Sequence, residues 1–553
     1  MRLKSPGSDH VRVLSAATLF AVMFTSGPWV SASEQQAPPA QPPAASTVQT
    51  PQPPRRPVGA TPTSTLRLTG DEAVKLALEN NLGIQSERLN PQLQTLAVSR
   101  SLSAYTPELF GTTTKLSDSS PPTDFLSQGV AVTTIGRVTG NGGVRQNVPW
   151  LGGRYQLSWA GGRTTSNAPR TSFSPQLGSD LDFGYTQPLL RGLKIDAFRQ
   201  GVLQSRKQLE IADVQLAQRI TGTSRSVRNA YFNLILARTA AEVANGSLDL
   251  ARQLLKNNQR RVEVGSMAPI ELIEAEAEVA RQEEAVIVRE GQIQAAEDNL
   301  RTLILNPSQP DYWTTRLEPA DLPALTESAV DVEAAIKNAL ANRTDILQLR
   351  KQIESTDLDI KYNQNQKLPA IDLQAAYGLT GVGGTQYRYG PDPGDGSPPP
   401  VVGSSQRDFR DVLRDVFGND FRSWSFQVNV SYPIGTSQAD AALASSRMQR
   451  QQGQLQMRQL ELGVTAQVRE AARDISTTLE RVRATQKARA LMEQRLGAEN
   501  KRLAVGLSDT FRLFQAQRDL DNAKQGELQA IIDYNRALID FEAVQTVPLQ
   551  GGF

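Results

Sequence analysis

The side chains that most often carry catalysis are almost absent from this chain. Its 553 residues include no cysteine and a single histidine, His10. Without thiols there is no thiolate nucleophile, no disulfide and no Cys/His metal cluster. His10 lies in a stretch expected to be removed on export, and imidazole acid–base chemistry would leave with it. Carboxylates, Lys, Ser and Tyr remain, but no nucleophile–base constellation emerges from them. The scattered Glu/Lys pairs have the spacing of ordinary i,i+4 pairs on helix surfaces. We expect a protein that is not an enzyme and that needs no cofactor.

A different pattern recurs instead. The stretches "RRVEVGSMAPIELIEAEAEV" and "RLAVGLSDTFRLFQAQRDL" lie about 240 residues apart, and each places Val-Gly between two helical runs. Gly265 and Gly506 are expected to allow a left-handed or otherwise tight turn where a Cβ would clash. The helices that lead into them are long. From Ile195 to about Val264, and from about Ala439 to Val505, no proline interrupts. In the first, Leu209, Ala212, Leu216 and Ile220 keep 3- and 4-residue spacing. At 1.5 Å per residue, each run of roughly 70 residues spans on the order of 100 Å, a length that requires coiled-coil-like partners. Shorter helices are expected near 71–104, 270–305, 331–366 and 510–545; stacked end to end, each pair matches one long helix.

Four anchors show that the chain is an internal duplication. "EAVKLALENNLGI" at Ala73 aligns with "AAIKNALANRTDI" at Ala335, and Pro107 falls on Pro369 at the same offset. Pro188 of "YTQPLL" then matches Pro433 of "VSYPIG", and Gly265 matches Gly506. Prolines and glycines punctuate the chain, so their ordered recurrence carries weight. Between the anchors the period switches from helical to two. Ile371, Leu373, Ala375, Tyr377 and Leu379 alternate with polar residues after Pro369, as do Phe426, Val428, Val430 and Tyr432 before Pro433. Leu181, Phe183 and Tyr185 do the same before Pro188. We expect four strands, at 109–117, 179–187, 370–379 and 425–432, each with one apolar and one polar face. The four prolines then mark strand–helix junctions. The segment "GGVRQNVPWLGGRYQLSWAGGRTTSN" reads as an additional hairpin. We expect it to form an extended extracellular loop rather than a further pair of membrane strands, because the second half carries its own irregular insert, "GPDPGDGSPPP".

The N-terminus has the form of a secretory signal over residues 1–32: Arg2, Lys4 and Arg12, then the short apolar run "VLSAATLFAVMF", then small residues. About a dozen apolar residues cannot span a bilayer, and no later segment offers the roughly 20 that a helix needs. No cysteine follows the expected cleavage point, which excludes a lipid-anchored form. Residues 33–65 form a Pro/Ala/Gln/Thr linker too poor in large apolar side chains to fold. Removing residues 1–32, with their three basic residues and Asp9, would leave 56 basic and 56 acidic residues. A neutral chain gives no electrostatic reason to bind nucleic acid.

This order of elements resembles the TolC-like outer-membrane efflux proteins from about Leu66 to Val547. The motifs are "LTGDEAVKLALENN", the strand-to-helix "QPLL", the paired "RVEVG" and "RLAVG", and "FQAQRDL" followed by "DYNRALIDFEA". The resemblance implies a mixed α+β membrane protein: a homotrimer with four strands per subunit in one transmembrane β-barrel set in outer-membrane lipid. Its long antiparallel helices would form a periplasmic α-barrel that meets a periplasmic adaptor protein and an inner-membrane transporter. Four strands cannot close a barrel alone, and free strand edges are not tolerated in lipid, so trimerisation follows independently. The repeats are expected over 66–305 and 328–547, with a tail at 548–553.

Under that resemblance the chain is the passive exit duct of a tripartite efflux or type I secretion system in the outer membrane. The alternative is a periplasmic coiled-coil scaffold without a channel. Val264, Gly265, Ser266, Val505, Gly506, Leu507 and Ser508 are the expected helix-hairpin tips and adaptor-docking residues. Family members often carry acidic residues six and nine positions after the second tip glycine, forming a ring at the periplasmic mouth. Arg512 and Gln515 stand there in this chain. With Asp509 they are the gate candidates, and Arg512 is expected to pair with Asp509 or with a neighbouring subunit's carboxylate. The first tip carries Glu271 and Glu274 at the matching places.

Overall fold

The computed structural model describes residues 64–121, 131–168, 171–265, 268–321, 325, 330–394, 399–435, 437–505 and 507–545. The expected signal, nearly all of the expected linker, the C-terminal tail and two tip residues, Ser266 and Gly506, lie outside the described residues.

The chain opens with strand β1 (Ser64–Leu68), so the last two residues assigned to the linker belong to a strand. Thr69 and Glu72 then form a capping box that starts helix α1 (Gly70–Asn80). Helix α2 (Leu82–Leu102) follows directly. The single helix expected near 71–104 is therefore two. Asn81 adopts an extended conformation, and its side-chain oxygen accepts from the backbone N–H groups of Gly83 and Ile84, capping a fresh helix. Strands β2 (Glu108–Ser120), β3 (Thr133–Asn147), β4 (Arg154–Ser166) and β5 (Phe173–Pro188) come next. They lead into α3 (Ala197–Glu263), the first tip and α4 (Ile270–Ile304).

The second half repeats this plan. After β6 (Thr315–Pro319) come α5 (Val332–Asn342) and α6 (Thr344–Gln366), broken at Arg343 where their counterparts break at Asn81. Then follow β7 (Ala370–Tyr389), β8 (Val401–Arg407), α7 (Phe409–Gly418) and β9 (Arg422–Ser431). Helices α8 (Gln438–Ala504) and α9 (Thr510–Gln545) complete the chain. Helices α3 and α8 each contain 67 residues, which at 1.5 Å per residue is about 100 Å.

Two sheets form. β1 and β6 make a small parallel pair in register from Ser64↔Thr315 to Leu68↔Pro319, an element that the sequence analysis lacked. The other is seven-stranded, in the order β2-β3-β4-β5-β7-β8, with β9 also on β7. The expectation of four strands is thus corrected. The hairpin β3–β4 is inserted between β2 and β5 as part of the sheet, not as a loop beyond its ends. Its glycines (Gly136, Gly140, Gly142, Gly143, Gly161 and Gly162) dilute the period-2 signal, since glycine counts for neither face.

Helices stack as four columns. α2 and α4 both pack on α3, and α6 and α9 both lie between α3 and α8. Apolar cores sit within each half. Leu68, Val227, Tyr231, Leu234, Leu300 and Leu317 join β1, α3, α4 and β6. In the second half Ala335, Ile346, Val464 and Val468 form one cluster, and Ile475, Val482, Ala530 and Tyr534 another.

Candidate functional site: a two-faced sheet and two helical tips

Alternation along the sheet is carried across strands by its register. Leu109, Val144, Leu157, Phe183, Tyr377 and Trp424 are successive partners, and they fall on one face. Phe426, Val428 and Val430 continue this face along β9, and all three are exposed. One residue along, the row reads Glu108, Arg145, Gln156, Gly184, Ala376 and Ser425. The polar face lines a concavity of about 960 Å³ bordered by Glu108, Arg145, Gln156, Ser158 and Asp182. Arg145 donates to both oxygens of Glu108, at 2.8 and 2.7 Å. An apolar face exposed over most of its width, backed by a polar one, is what a barrel wall in lipid requires, whereas a soluble sheet would bury the first face.

The four prolines sit where the sheet meets the helices. Pro107 directly precedes β2 and Pro369 directly precedes β7; Pro188 ends β5, and Pro433 lies two residues past β9. α7 was not legible in sequence. It is an amphipathic helix that lays Val412 and Val416 on the apolar face of β7. The carbonyl of Val412 would lie 2.2 Å from a Cβ at Gly381, so that position must be glycine.

At the far end of the helices, Gly265 turns with φ +73°, and its N–H donates to Val262 O at 2.9 Å. Among the described residues, its chain neighbours aside, no atom lies within 4 Å of where its Cβ would be. The expected clash is therefore absent, and the requirement for glycine is conformational. Gly265→Val should cost about 1–2 kcal/mol locally and speed amide exchange across 260–270, whereas Gly265→Asn should be tolerated. Equal exchange in both variants would contradict this. Val264, Val505 and Leu507 are all exposed, Val264 by 77 % and Leu507 by 75 %. Ser508 donates to Glu499, on the same hairpin.

Asp509 accepts from the Arg512 backbone N–H at 2.9 Å, capping α9. Its other carboxylate oxygen lies 3.7 Å from Arg512 Nε in an ion pair open to solvent. Gln515 and Glu274 are exposed. Glu271, by contrast, accepts from the Thr510 hydroxyl at 2.7 Å, joining the two tips. Further along, Arg518 of α9 pairs at 2.9 Å with Glu278 of α4, which is only 4 % exposed. Sequence reasoning missed Arg518 and Glu278. They are six and four residues beyond Arg512 and Glu274, and only the packing of α4 on α9 brings them together.

Between the two halves the polar character continues. Ser247 donates to Asp521 at 2.7 Å, Arg225 pairs with Asp540 at 2.6 Å, and Arg228 pairs with Glu542 at 3.1 Å. Burial pushes the Asp521 carboxyl above the usual range, against the opposing pull of its bond from Ser247. Among the described residues no group of acidic or imidazole side chains could hold a metal ion, and no helix is long and apolar enough to cross a membrane.

Long paired helices beneath a two-faced sheet define the fold of the TolC-like outer-membrane channels. The chain is similar to the Campylobacter jejuni CmeC outer membrane channel, at 13% identity and TM-score 0.59, over 86% of this chain and 85% of that one. The outer membrane protein VceC of Vibrio cholerae gives 14% identity and TM-score 0.58, over 86% of this chain and 96% of that one. The open state of the Neisseria gonorrhoeae MtrE outer membrane channel gives 15% and 0.57, over 86% and 88%. No curated protein sequence matches the chain. The sequence model of the outer membrane efflux protein family matches residues 156–304 and 335–544, and the chain belongs to that family.

Proposed function

We propose that the chain forms a trimeric exit duct, passively carrying substrates from an inner-membrane pump through the periplasm and across the outer membrane. It catalyses no reaction in this reading. The observation that carries it is the sheet with one exposed apolar face, one polar face and unpaired strands at both sides, β2 at one and β8 and β9 at the other. Lipid does not tolerate unpaired backbone groups, so each β2 edge must pair with the β9 edge of a neighbouring copy. The helices then continue the wall into the periplasm for about 100 Å. A scaffold without a channel has no use for an exposed apolar sheet. Membrane fractionation tests the reading. The protein should co-sediment with outer membrane and require detergent for release; release by carbonate alone would contradict it.

The exposed Val264, Val505 and Leu507 fit an adaptor that covers the tips in the assembled pump. Replacing Val264 and Leu507 together with Asp should abolish export while trimers still form. Retained export would place docking elsewhere.

Opening of the mouth requires the two hairpins of each chain to separate at their tips. Apolar cores hold each hairpin together, whereas the Thr510–Glu271 and Arg518–Glu278 contacts hold one to the other. Polar contacts that can be exchanged for water suit a moving seam. Arg512→Ala should raise the conductance of reconstituted trimers slightly, since its bond to Asp509 is exposed and loose. Arg518→Ala should raise it more, shifting the open–closed balance about tenfold for a loss of about 1.4 kcal/mol. Equal conductance in wild type and both variants would remove these residues from the gate.

A further inference from the structure

The hairpin β3–β4 occupies an unexpected place. β2 pairs with β3 over all 13 of its residues, and β4 pairs with β5 without irregularity from Arg154↔Thr186 to Thr164↔Gln176. β2 and β5 are not paired with each other; the hairpin lies between them. Its 15- and 13-residue strands exceed the 9–11 residues that cross a bilayer. Val144 and Leu157 join the apolar row, and Arg145 and Gln156 join the polar one. The turn between the strands lies at the helical end. Gln146 and Asn147 donate to the carbonyls of Tyr105 and Ala104 at 2.8 and 2.9 Å, and Gln187 donates to Leu151 O at 2.8 Å. A short turn on the periplasmic side, with Trp150 exposed at that level, is the pattern of a membrane hairpin.

We infer that β3 and β4 are barrel staves, so that each chain contributes six (β2, β3, β4, β5, β7 and β9) and the closed barrel has eighteen. This rests on the trimeric reading above. Widths agree with it. Strands about 4.8 Å apart and tilted by about 40° each take up about 6.3 Å of circumference, so six cover about 38 Å and four only about 25 Å. Four helical columns at 8–10 Å spacing cover about 32–40 Å. Six staves thus cover a width of the same order as the four helical columns they join. At equal tilt the bore at the membrane is about one and a half times that of a twelve-stranded barrel. The barrel then sets no size limit on cargo below that of the helical tips.

Single-particle imaging of the detergent-extracted trimer in nanodiscs counts the strands directly. Eighteen around the threefold axis is the expected result; twelve, with the hairpin folded into the lumen or above the rim, would overturn the inference. A second measurement avoids dependence on assembly. The native chain has no cysteine, so introduced pairs are unique. Oxidised in outer-membrane fractions, Leu109→Cys with Val144→Cys and Leu157→Cys with Phe183→Cys should each cross-link within a chain, as peptide mass spectrometry reads out. Leu109→Cys with Phe183→Cys should not, and a cross-link there would show that β2 lies directly on β5. A particle of monomeric mass with the first two cross-links intact would sink the trimer, and the eighteen-stranded barrel with it, while leaving the hairpin in the sheet.

Discussion

Val428→Arg is expected to remove the protein from the outer membrane. Val428 lies on the apolar face of β9, opposite Leu373, and is exposed in the single chain. In the proposed trimer that exposure is to lipid. An arginine near the middle of the bilayer costs about 2–4 kcal/mol in a β-barrel, and threefold symmetry triples the cost to about 6–12 kcal/mol per particle. Most single substitutions cost far less. Asn429→Arg, one residue along, is the internal control. Its side chain belongs to the polar face beside Gln427, where a guanidinium stays hydrated. Trimer abundance in outer-membrane fractions should fall by well over tenfold for Val428→Arg and stay near wild type for Asn429→Arg. The reverse order would mean that the faces of the sheet have been assigned the wrong way round.

Arg301→Ala is expected to be the most damaging truncation in the helical body. Arg301 has no solvent exposure. One guanidinium nitrogen donates to the Thr315 carbonyl at 2.7 Å, tying α4 to β6. The same nitrogen lies 3.8 Å from Glu297, the other terminal nitrogen pairs with Asp298, and the Trp313 ring lies 6.0 Å away. Glu297 is itself buried and also holds Arg238 at 3.0 Å. Removing one partner of such a network leaves buried charge uncompensated, at about 3–5 kcal/mol. Arg301→Lys should recover little, because an ammonium cannot hold the carbonyl and both carboxylates with one fork. Denaturant unfolding of the detergent-solubilised protein measures both losses. A change below about 1 kcal/mol for Arg301→Ala would show that water can replace the network.

The helices and the junctions were legible because their signals are long or rigid. Uninterrupted helical spacing sets the extent of α3 and α8, and each of the four anchor prolines stands at or within two residues of a strand end. Short elements were less visible. Asn81 breaks a helical run that apolar periodicity passes through unchanged, and the clue was its capping side chain followed by Gly83. β1 and β6 have five residues each, too few for a period to declare itself, and they find each other across about 250 residues of chain. Thr69 with Glu72 did mark where α1 begins, and hence that something other than linker precedes it. α7 lay inside a segment dominated by glycine, proline and charge. Only the spacing of Phe409, Val412 and Val416 and the left-handed Asn419 at its end betray it. The strand pair β3–β4 reads as a hairpin from local pattern, but its place in the sheet does not, because pairing partners are set by register with β2 and β5. At the tips, Asp509 and Arg512 were legible from spacing along one helix. The contacts of Thr510 and Arg518 with Glu271 and Glu278 depend on two helices meeting, and sequence spacing does not encode that.

Single-channel recording of the purified particle in planar bilayers addresses the duct itself. The account predicts discrete conductance steps, one per trimer inserted, that grow larger when Arg518 is replaced by Ala. Trimers incorporated at the same density that pass no current above background, in wild type and Arg518→Ala alike, would contradict it.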